Sequence, residues 1–342
     1  MKNKVRSTTS VPSATSAATQ VFLGIDISKA TFDVALLLPD ARLLQKSLPN
    51  TPQGFEALKS WVLTHTGKLP LHAVMEATGI YYEALALHLH AWGHTLSVVN
   101  PRQIKAYADS SLRRSKTDRV DACIIARFAA AQRPRAWLPP TPAQRELQEL
   151  SRRQQTLVAM RSMEKNRLSS VSCALVRESL LRHLRALDAE LAEVEAAIAR
   201  RIATDPQLSA REALLRSIGG IGACTAARIL GEIPDITRFD SARQLGAHGG
   251  LTPRREQSGT SIHRHGGICR IGSSRLRSHL YFPAMAAMRC NPLIMSFASR
   301  LRQAGKPPKV IITAVMRKLL HLVFGVLSSN KPFNPLFLQS SP

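Results

Sequence analysis

The sequence predicts an α/β domain followed by an all-helical region, and three observations lead to this prediction. From residue 21 to residue 99, short apolar runs of strand length alternate with helical patterns. Beyond the Pro-rich segment 139–142, apolar residues recur every three or four positions, which is typical of helices. At 342 residues the chain is long enough for two domains with a sizeable core.

Charge is the most unusual property of the composition. The chain has 47 Lys and Arg residues against 23 Asp and Glu residues, and the net charge of +24 predicts a polyanionic partner. The excess is uneven, because residues 20–99 hold five basic and six acidic side chains, whereas residues 257–342 hold twelve basic side chains and no acid. We therefore expect the C-terminal part to lie along nucleic acid while the N-terminal part does something else.

Three other classes of protein fit the composition poorly. The five cysteines are at least 21 residues apart, which favours neither a disulfide framework nor a zinc knuckle and suits a reducing cytosol. We expect a bacterial cytoplasmic protein that is associated with the nucleoid. Residues 1–20 are rich in Ser, Thr and Ala, and we interpret them as a disordered leader and not a signal peptide. The apolar stretch 310–327 carries Arg317, Lys318 and His321, so we expect a buried or DNA-facing helix there and not a membrane span.

The N-terminal region alternates strands and helices. The predicted elements, in order, are strands at 21–27, 32–38 and 42–48, a helix from Thr51, a strand at 71–76, a helix at 81–92 and a strand at 95–99. Three consecutive strands followed by alternating helices and strands is the order of a ribonuclease-H-like α/β domain, which we assign to residues 21–138.

Four acids stand at distinctive places in this domain. Asp26 and Glu76 come at strand ends, and Asp118 and Asp121 share one face of a predicted helix, with Cβ atoms about 5–6 Å apart. Acids at strand ends and on one adjacent helix can converge on a hard cation, and we expect the neighbouring Lys116 to bind nucleic acid. The alternative for the Asp118 pair is an acidic first turn, capped by Thr117, that suits the helix dipole.

Residues 139–208 predict two long helices. A narrow apolar seam runs along the second, through Leu184, Leu187, Leu191, Val194, Ile198 and Ile202. A looser seam marks the first, from 144 to about 176, through Leu147, Leu150, Leu157, Leu168, Val171 and Leu175. We expect either an antiparallel helical hairpin or a dimerising coiled coil that links two functional domains.

Residues 209–330 form the predicted C-terminal domain, and 331–342 a tail. Its start resembles a helix-hairpin-helix, in which Gly220 and Gly222 would let hairpin amides bind phosphate. The alternative is a tight helix–helix corner in which glycines allow close approach.

A Gly- and Ser-rich loop is predicted at 249–261. Ser258 is a candidate nucleophile there, with Arg254 and Arg255 as cations for the phosphoryl oxygens, although a serine in a polar loop is usually a turn residue.

Basic residues continue beyond this loop. His263, His265 and Cys269 lack a fourth zinc ligand at a usual spacing, so with Arg264 and Arg270 we interpret this segment as a phosphate contact. The helices predicted at 274–288, 293–303 and 309–327 mix apolar stripes with cations such as Arg275, which indicates a small helical core with one basic face.

Five motifs together carry a resemblance to a known family. They are Gly24-Ile25-Asp26, Glu76-Ala77-Thr78-Gly79, Lys116-Thr117-Asp118 with Val120-Asp121, Gly220-Ile221-Gly222, and Gly250-Leu251-Thr252-Pro253 leading to Ser258-Gly259. In this order they resemble the DEDD transposase and pilin-gene invertase family, the insertion-sequence family called one-ten, over about residues 21–326.

The resemblance implies a RuvC-like N-terminal domain in which Asp26, Glu76, Asp118 and Asp121 bind Mg²⁺, and a C-terminal transposase domain in which Ser258 attacks DNA. It also implies a tetramer, a dimer of dimers, guided by a structured bridge RNA from the same element. The sequence departs from the family pattern at the Gly219-Gly220 pair, at Gln257 and in residues 1–20.

Two other functions remain open at this point. One is a RuvC-like junction nuclease in which two metals between the four acids activate water and Ser258 takes no part. The other is a basic nucleic-acid-binding protein without catalysis, whose acids are structural.

Overall fold

The computed structural model describes residues 20–67, 69–77, 79–110, 118–258 and 262–335. The side chains of residues 118–120, 255–258 and 262–266 lie outside this description. The chain divides into two compact units, one ending at Pro139 and one beginning at Pro140, and each is described by itself.

The first unit is built on one mixed sheet. Its strands are β1 (Val21–Ile27), β2 (Thr31–Leu37), β3 (Leu43–Pro49), β4 (Leu71–Glu76) and β5 (Thr95–Val99), in the spatial order β3-β2-β1-β4-β5. Strand β1 pairs antiparallel with β2 and parallel with β4, and β4 pairs parallel with β5. Its helices are α1 (Pro52–Thr66), α2 (Glu83–Ala91), α3 (Pro101–Ser110) and α4 (Asp118–Gln132). The order of strands and helices predicted for residues 21–99 and the helix predicted at Asp118 are confirmed, with element ends displaced by one or two residues, whereas α3 was not predicted.

Helices cover both faces of this sheet. Because successive side chains of a strand point to opposite faces, Leu23 and Ile25 lie on one face and pack in a cluster with the buried apolar residues of α1 and α2. Phe22 lies on the other face and belongs to a cluster with Ile125 and Phe128 of α4. Strand β1, buried on both sides, is therefore the centre of a three-layer unit.

Gly24 sets how closely α4 approaches the sheet. A Cβ at this position would collide with the carbonyl oxygen of Ala122 and with the backbone of Ala126. The helix backbone therefore lies directly on β1, where the small side chains of Ala35, Ala122 and Ala126 pack together.

The second unit is mainly helical. Its helices are α5 (Pro142–Ser170), α6 (Ala174–Thr204), α7 (Pro206–Arg216), α8 (Ala223–Glu232), α9 (Ala242–His248), α10 (Ser274–His279), α11 (Tyr281–Cys290), α12 (Pro292–Gln303) and α13 (Pro308–Ser329), with a short 3-10 helix at Ile236–Arg238. The predicted single helix at 274–288 is wrong, because the chain breaks it at Leu280 and forms α10 and α11.

Helices α5 and α6 form the predicted long pair. The seam of α6 is buried, and its Leu187 and Leu191 pack against Leu157 of α5, so the seam is used within the chain. The first helix ends at Ser170 and not near 176, because the backbone at Val171 becomes extended. Leu175, which we placed in that helix, begins the next one and is 71% exposed.

Helix α13 runs through the core of the second unit. Among the described helices it alone has the length and apolar composition of a membrane-crossing segment, but core helices share that composition. Its residues Val315, Leu319, Leu320 and Val323 are fully buried against the neighbouring helices. The prediction of a helix at 309–327 is confirmed, and one stripe of this helix is buried.

The predicted loop at 249–261 is wrong, because most of it is a strand. Strand β6 (Thr252–Ser258) pairs antiparallel with β7 (Ile262–Cys269), with an irregular register between Pro253 and Arg255. The Gly, Ser and charged residues of this segment have low strand propensity. The strand is therefore stabilised by its pairing with β7 and not by its composition.

We expect Gly24→Ala to destabilise the first unit by about 3 kcal/mol, the upper end of the usual range for overpacking, because backbone and not a flexible side chain must move. Tryptophan fluorescence during urea unfolding measures this, since all three tryptophans, Trp61, Trp92 and Trp137, lie in the first unit.

Gly325→Ala is the matched control, because a Cβ at Gly325 in α13 meets no atom within 4 Å. This variant should leave the tryptophan transition unchanged. A Gly24→Ala protein that unfolds at the wild-type urea concentration would contradict the close packing of α4 on β1.

Candidate nucleic-acid-processing site

Two of the predicted acids lie side by side at the carboxyl edge of the sheet. In the parallel pair of β1 and β4, Ile25 is opposite Met75, so the next position brings Asp26 level with Glu76. Both residues are partly exposed at the strand ends. The sheet register therefore joins two acids that are fifty residues apart in the sequence.

Helix α4 points its first turn at the same edge. Its far end is fixed near the start of β5, where the Ser97 hydroxyl donates to the Pro134 carbonyl at 2.8 Å and the Trp137 amide donates to the Leu96 carbonyl at 2.6 Å. Since β5 is parallel to β4 and β1, the opposite end of α4 lies toward the carboxyl ends of these strands. The turn that carries Asp118 and Asp121 is at that end.

The acids also share a face of the sheet. Asp26 is two residues beyond Gly24, and the backbone of α4 at Ala122 covers Gly24. Asp121 directly precedes Ala122, so the helix covers the face on which Asp26 lies. The fold thus brings Asp26, Glu76 and the start of α4 to one corner of the first unit.

Sequence reasoning missed a fifth acid at this corner. Asp33 of β2 is directly opposite Asp26 in the antiparallel pair and is partly buried. Directly paired residues project on the same side of a sheet, so their carboxylates would repel without a cation nearby. The apolar neighbours Phe32 and Val34 around Asp33 in the first hairpin were the available signal.

The side chains at this corner suit a hard divalent cation. Carboxylate oxygens are preferred ligands of Mg²⁺, and Asp26, Glu76 and Asp121 provide them. Within the described side chains, no group of three acids, histidines or cysteines is already gathered tightly enough to hold a metal. The side chain of Asp118 and all of Lys116 lie outside the described part of the chain.

The predicted nucleophile lies in the second unit, on the β6–β7 hairpin. Ser258 ends β6 and is opposite Ile262, while Arg255 is opposite His265 and Arg264 is opposite Glu256. Arg254 is exposed, whereas the side chains of residues 255–258 and 262–266 lie outside the described part of the chain. The hairpin register therefore gathers the predicted cations on two adjacent strands.

The glycine hairpin before α8 has one tightly packed and one exposed glycine. Gly220 has a φ of +101° and lies against Ala287 of α11, where a side chain would collide. The amide of the buried Asn291 donates to the Gly219 carbonyl at 3.3 Å. Gly222, by contrast, is exposed and starts α8 without a side-chain cap. Close packing thus accounts for Gly220, and Gly222 leaves the start of α8 open.

Cations near the β6–β7 hairpin help to lower the pKa of a buried histidine. Arg270 and Arg275 are exposed, and His279 at the end of α10 is buried. Burial, with the charges of Arg228 and Arg275, lowers the pKa of His279 to about 4. This histidine is therefore neutral at pH 7 and adds no charge to the surrounding basic surface.

Comparison with known proteins identifies the family. A family model described as "Transposase", of the DEDD IS110 type, matches residues 23–172, and a model described as "Transposase IS116/IS110/IS902 family" matches residues 212–299. The pilin gene-inverting protein of Moraxella bovis is 35% identical over 317 residues, which span 92% of this chain and 98% of that protein. The chain belongs to the IS110 family of transposases.

Two further relatives agree with this assignment. The pilin gene-inverting protein of Moraxella lacunata is also 35% identical over 317 residues, and the probable family 20 transposase of Pseudomonas aeruginosa is 27% identical over 300 residues. As an IS110-family transposase, the protein is a DNA recombinase, and the predicted family, enzyme class and DNA partner are confirmed. DEDD transposases generally use divalent metal ions.

The basic surface of this IS110-family transposase predicts a measurable salt effect. Arg275→Ala should weaken DNA binding about equally for all sequences and reduce the slope of log K against log[salt] by about 1, because one phosphate contact and its released counterion are lost. Fluorescence anisotropy with a labelled duplex at several salt concentrations measures both quantities.

The matched control is Arg182→Ala on α6, because Arg182 forms an exposed ion pair with Glu178 at 3.5 Å. That variant should keep the wild-type slope. Equal slopes for Arg275→Ala and the wild-type protein would remove Arg275 from the DNA-binding surface.

Proposed function

We propose that this protein excises and inserts its own insertion sequence by attack of Ser258 on a DNA phosphodiester, assisted by Mg²⁺ held by Asp26, Glu76, Asp118 and Asp121. The observation that supports the metal site best is the meeting of β1, β4 and the first turn of α4 at one corner. The four acids come from three separate stretches of sequence, and a purely structural role gives no reason for them to meet there.

The proposed reaction exchanges one phosphoester bond for another. The Ser258 hydroxyl loses its proton as its oxygen bonds to phosphorus, the bond from phosphorus to the leaving strand breaks, and that strand takes up a proton and leaves as a hydroxyl, so no net proton is released. Arg254 and Arg255 steady the non-bridging oxygens. The acid cluster would hold the metal, and the metal would polarise the phosphate as a Lewis acid. Because a phosphoester is kept throughout, the strands can be rejoined by the reverse attack.

The arrangement of the first unit supports a RuvC-like assignment. Strand order β3-β2-β1-β4-β5, with the first three strands antiparallel and the last two parallel to β1, is the order expected for a ribonuclease-H-like sheet. We assign residues 21–138 to this domain, 139–208 to the helical linker that contains α5 and α6, and 209–330 to the transposase domain.

We also propose that a bridge RNA guides the protein and that it acts as a homo-oligomer, a dimer of dimers. The net charge of +24 exceeds what a single short DNA contact requires, and a second polyanion accounts for it. The apolar residues Met163, Leu175 and Val176 are exposed around the turn between α5 and α6, which supports a contact between copies there.

A two-metal nuclease remains the second candidate. The observation in its favour is Asp33, because a fifth carboxylate at the corner of the sheet would help to hold two cations. In that case water and not Ser258 attacks the phosphate. A covalent protein–DNA product distinguishes the two reactions, since only attack by Ser258 leaves DNA on the protein.

Asp118→Asn should abolish metal-dependent strand cleavage and weaken Mg²⁺ binding, because an amide cannot replace a carboxylate as a ligand for a hard cation. Cleavage assays and calorimetric titration with Mg²⁺ measure the two effects. Asp109→Asn, on the exposed surface of α3, is the control and should behave as the wild-type protein does. Full cleavage activity in the presence of EDTA would contradict the metal site.

Ser258→Ala should lose a protein–DNA adduct that survives denaturation, while it still binds DNA. A denaturing gel with end-labelled DNA detects the adduct. Ser261→Ala, which changes the other serine of the same segment, should still form it. If Ser258→Ala cleaves DNA at the wild-type rate without any adduct, the nuclease reaction is the correct one.

A further inference from the structure

The second unit contains a large cavity that the proposed reaction does not use. It has a volume of about 840 Å³ and lies between the β6–β7 hairpin and helices α11, α12 and α13. Leu251, Pro253 and Ile268 form the wall on the hairpin side. This volume is within the roughly 300–1,000 Å³ typical of small-molecule sites, so the cavity holds more than a single phosphate ion.

The charges that line this cavity are all positive. The cationic and imidazole side chains are Arg270, Lys309, Arg317, Lys318 and His321, and no acid lines the cavity. Of the ion pairs found in the described part of the chain, none involves these residues. The sequence from 257 onward contains no acid that could neutralise them. A cluster of cations without a carboxylate partner favours an anionic occupant.

Two nitrogen atoms beneath this surface lack partners. The Nε of Arg317 and the Nε2 of His321 are buried without a hydrogen bond to any described residue. Burial and the charges of Arg317, Lys318 and Arg243 lower the pKa of His321 below its ordinary value. Unsatisfied buried polar atoms are uncommon in folded proteins. Because its pKa is lowered, His321 is neutral at pH 7, so the positive charge of the cavity comes from Arg270, Lys309, Arg317 and Lys318.

Aromatic side chains supply a second kind of contact. Tyr281 at the start of α11 and Phe297 of α12 line the cavity, and Tyr281 is 41% exposed. Nucleic-acid bases stack on such rings, whereas a free phosphate ion gains nothing from them. Cations together with exposed aromatic rings are the usual combination in sites for single-stranded nucleic acid.

We propose that this cavity binds one unpaired nucleotide of the DNA strand that approaches Ser258, with its base against Tyr281 and Phe297 and its phosphate near Arg270, Lys309 and Arg317. The choice of DNA rests on the proposed function of Ser258. Pro253 on the cavity wall precedes Ser258 by five strand positions, about 17 Å at the usual rise per residue. A strand held in the cavity is therefore within reach of the nucleophile.

A fluorescence titration tests the cavity separately from catalysis. The full-length protein is titrated into a single-stranded DNA oligonucleotide that carries 2-aminopurine, whose emission falls when it stacks on an aromatic ring. A duplex of the same sequence and the corresponding RNA serve as comparisons. We expect quenching with single-stranded DNA and an affinity for it above that for the RNA.

Matched substitutions locate the binding. Tyr281→Ala should remove the quenching and weaken single-strand binding about 5- to 150-fold, since a stacked base contributes roughly 1–3 kcal/mol. Phe282→Ala is the control, because Phe282 is the next residue, is 73% exposed and does not line the cavity. Lys309→Ala should reduce the salt slope by about 1, whereas Lys306→Ala, just outside the cavity, should leave it unchanged.

Each contrary result has a definite meaning. Equal effects of Tyr281→Ala and Phe282→Ala, or equal losses for duplex and single strand, would overturn the base pocket. Tighter binding of RNA than of DNA would overturn the assignment to the DNA strand. Ser258→Ala should keep the quenching. If the wild-type protein quenched the probe but formed no covalent adduct with DNA, the proposed chemistry would be refuted and the cavity would stand.

Discussion

The close contact between α4 and β1 at Gly24 is the constraint on which the first unit depends. Because Gly24 has no side chain, the helix backbone lies directly on the central strand. The same contact fixes the height and register of α4 above the sheet. The position of its first turn, and hence of the backbone at Asp118 and Asp121, follows from this packing. The acidic corner is thus held in place by an apolar core that contains no acid.

The second unit solves a different physical problem, which is to hold many like charges on one folded body. Its core is built from buried apolar residues of α5 to α13, and the cations stand around that core. Burial of apolar surface offsets the mutual repulsion of the cations, which a polyanion relieves on binding. The number of charges that this unit can hold is limited, as His279 illustrates: burial beside Arg228 and Arg275 keeps this histidine neutral at pH 7.

Much of the architecture could be predicted from local sequence patterns. The strands and helices of the first unit are short, alternating and bounded by Gly and Pro, so their order was predictable and is confirmed. The long helices were predictable as well, but the end at Ser170 was not, because no Gly or Pro marks it. The pairing of β6 with β7 was not predicted, because this segment is rich in Gly, Ser and charged residues, which have low strand propensity.

The sequence by itself determined the family, the basic character of the C-terminal half and the identity of the candidate acids, because motifs, charge and residue type are local properties. Only the tertiary structure decided that Asp33 stands opposite Asp26, that Gly220 packs against Ala287, and that cations from two separate segments line one cavity. These facts depend on strand register and on which helix faces meet. Register and packing are set by the whole core at once, so no single segment of sequence contains them.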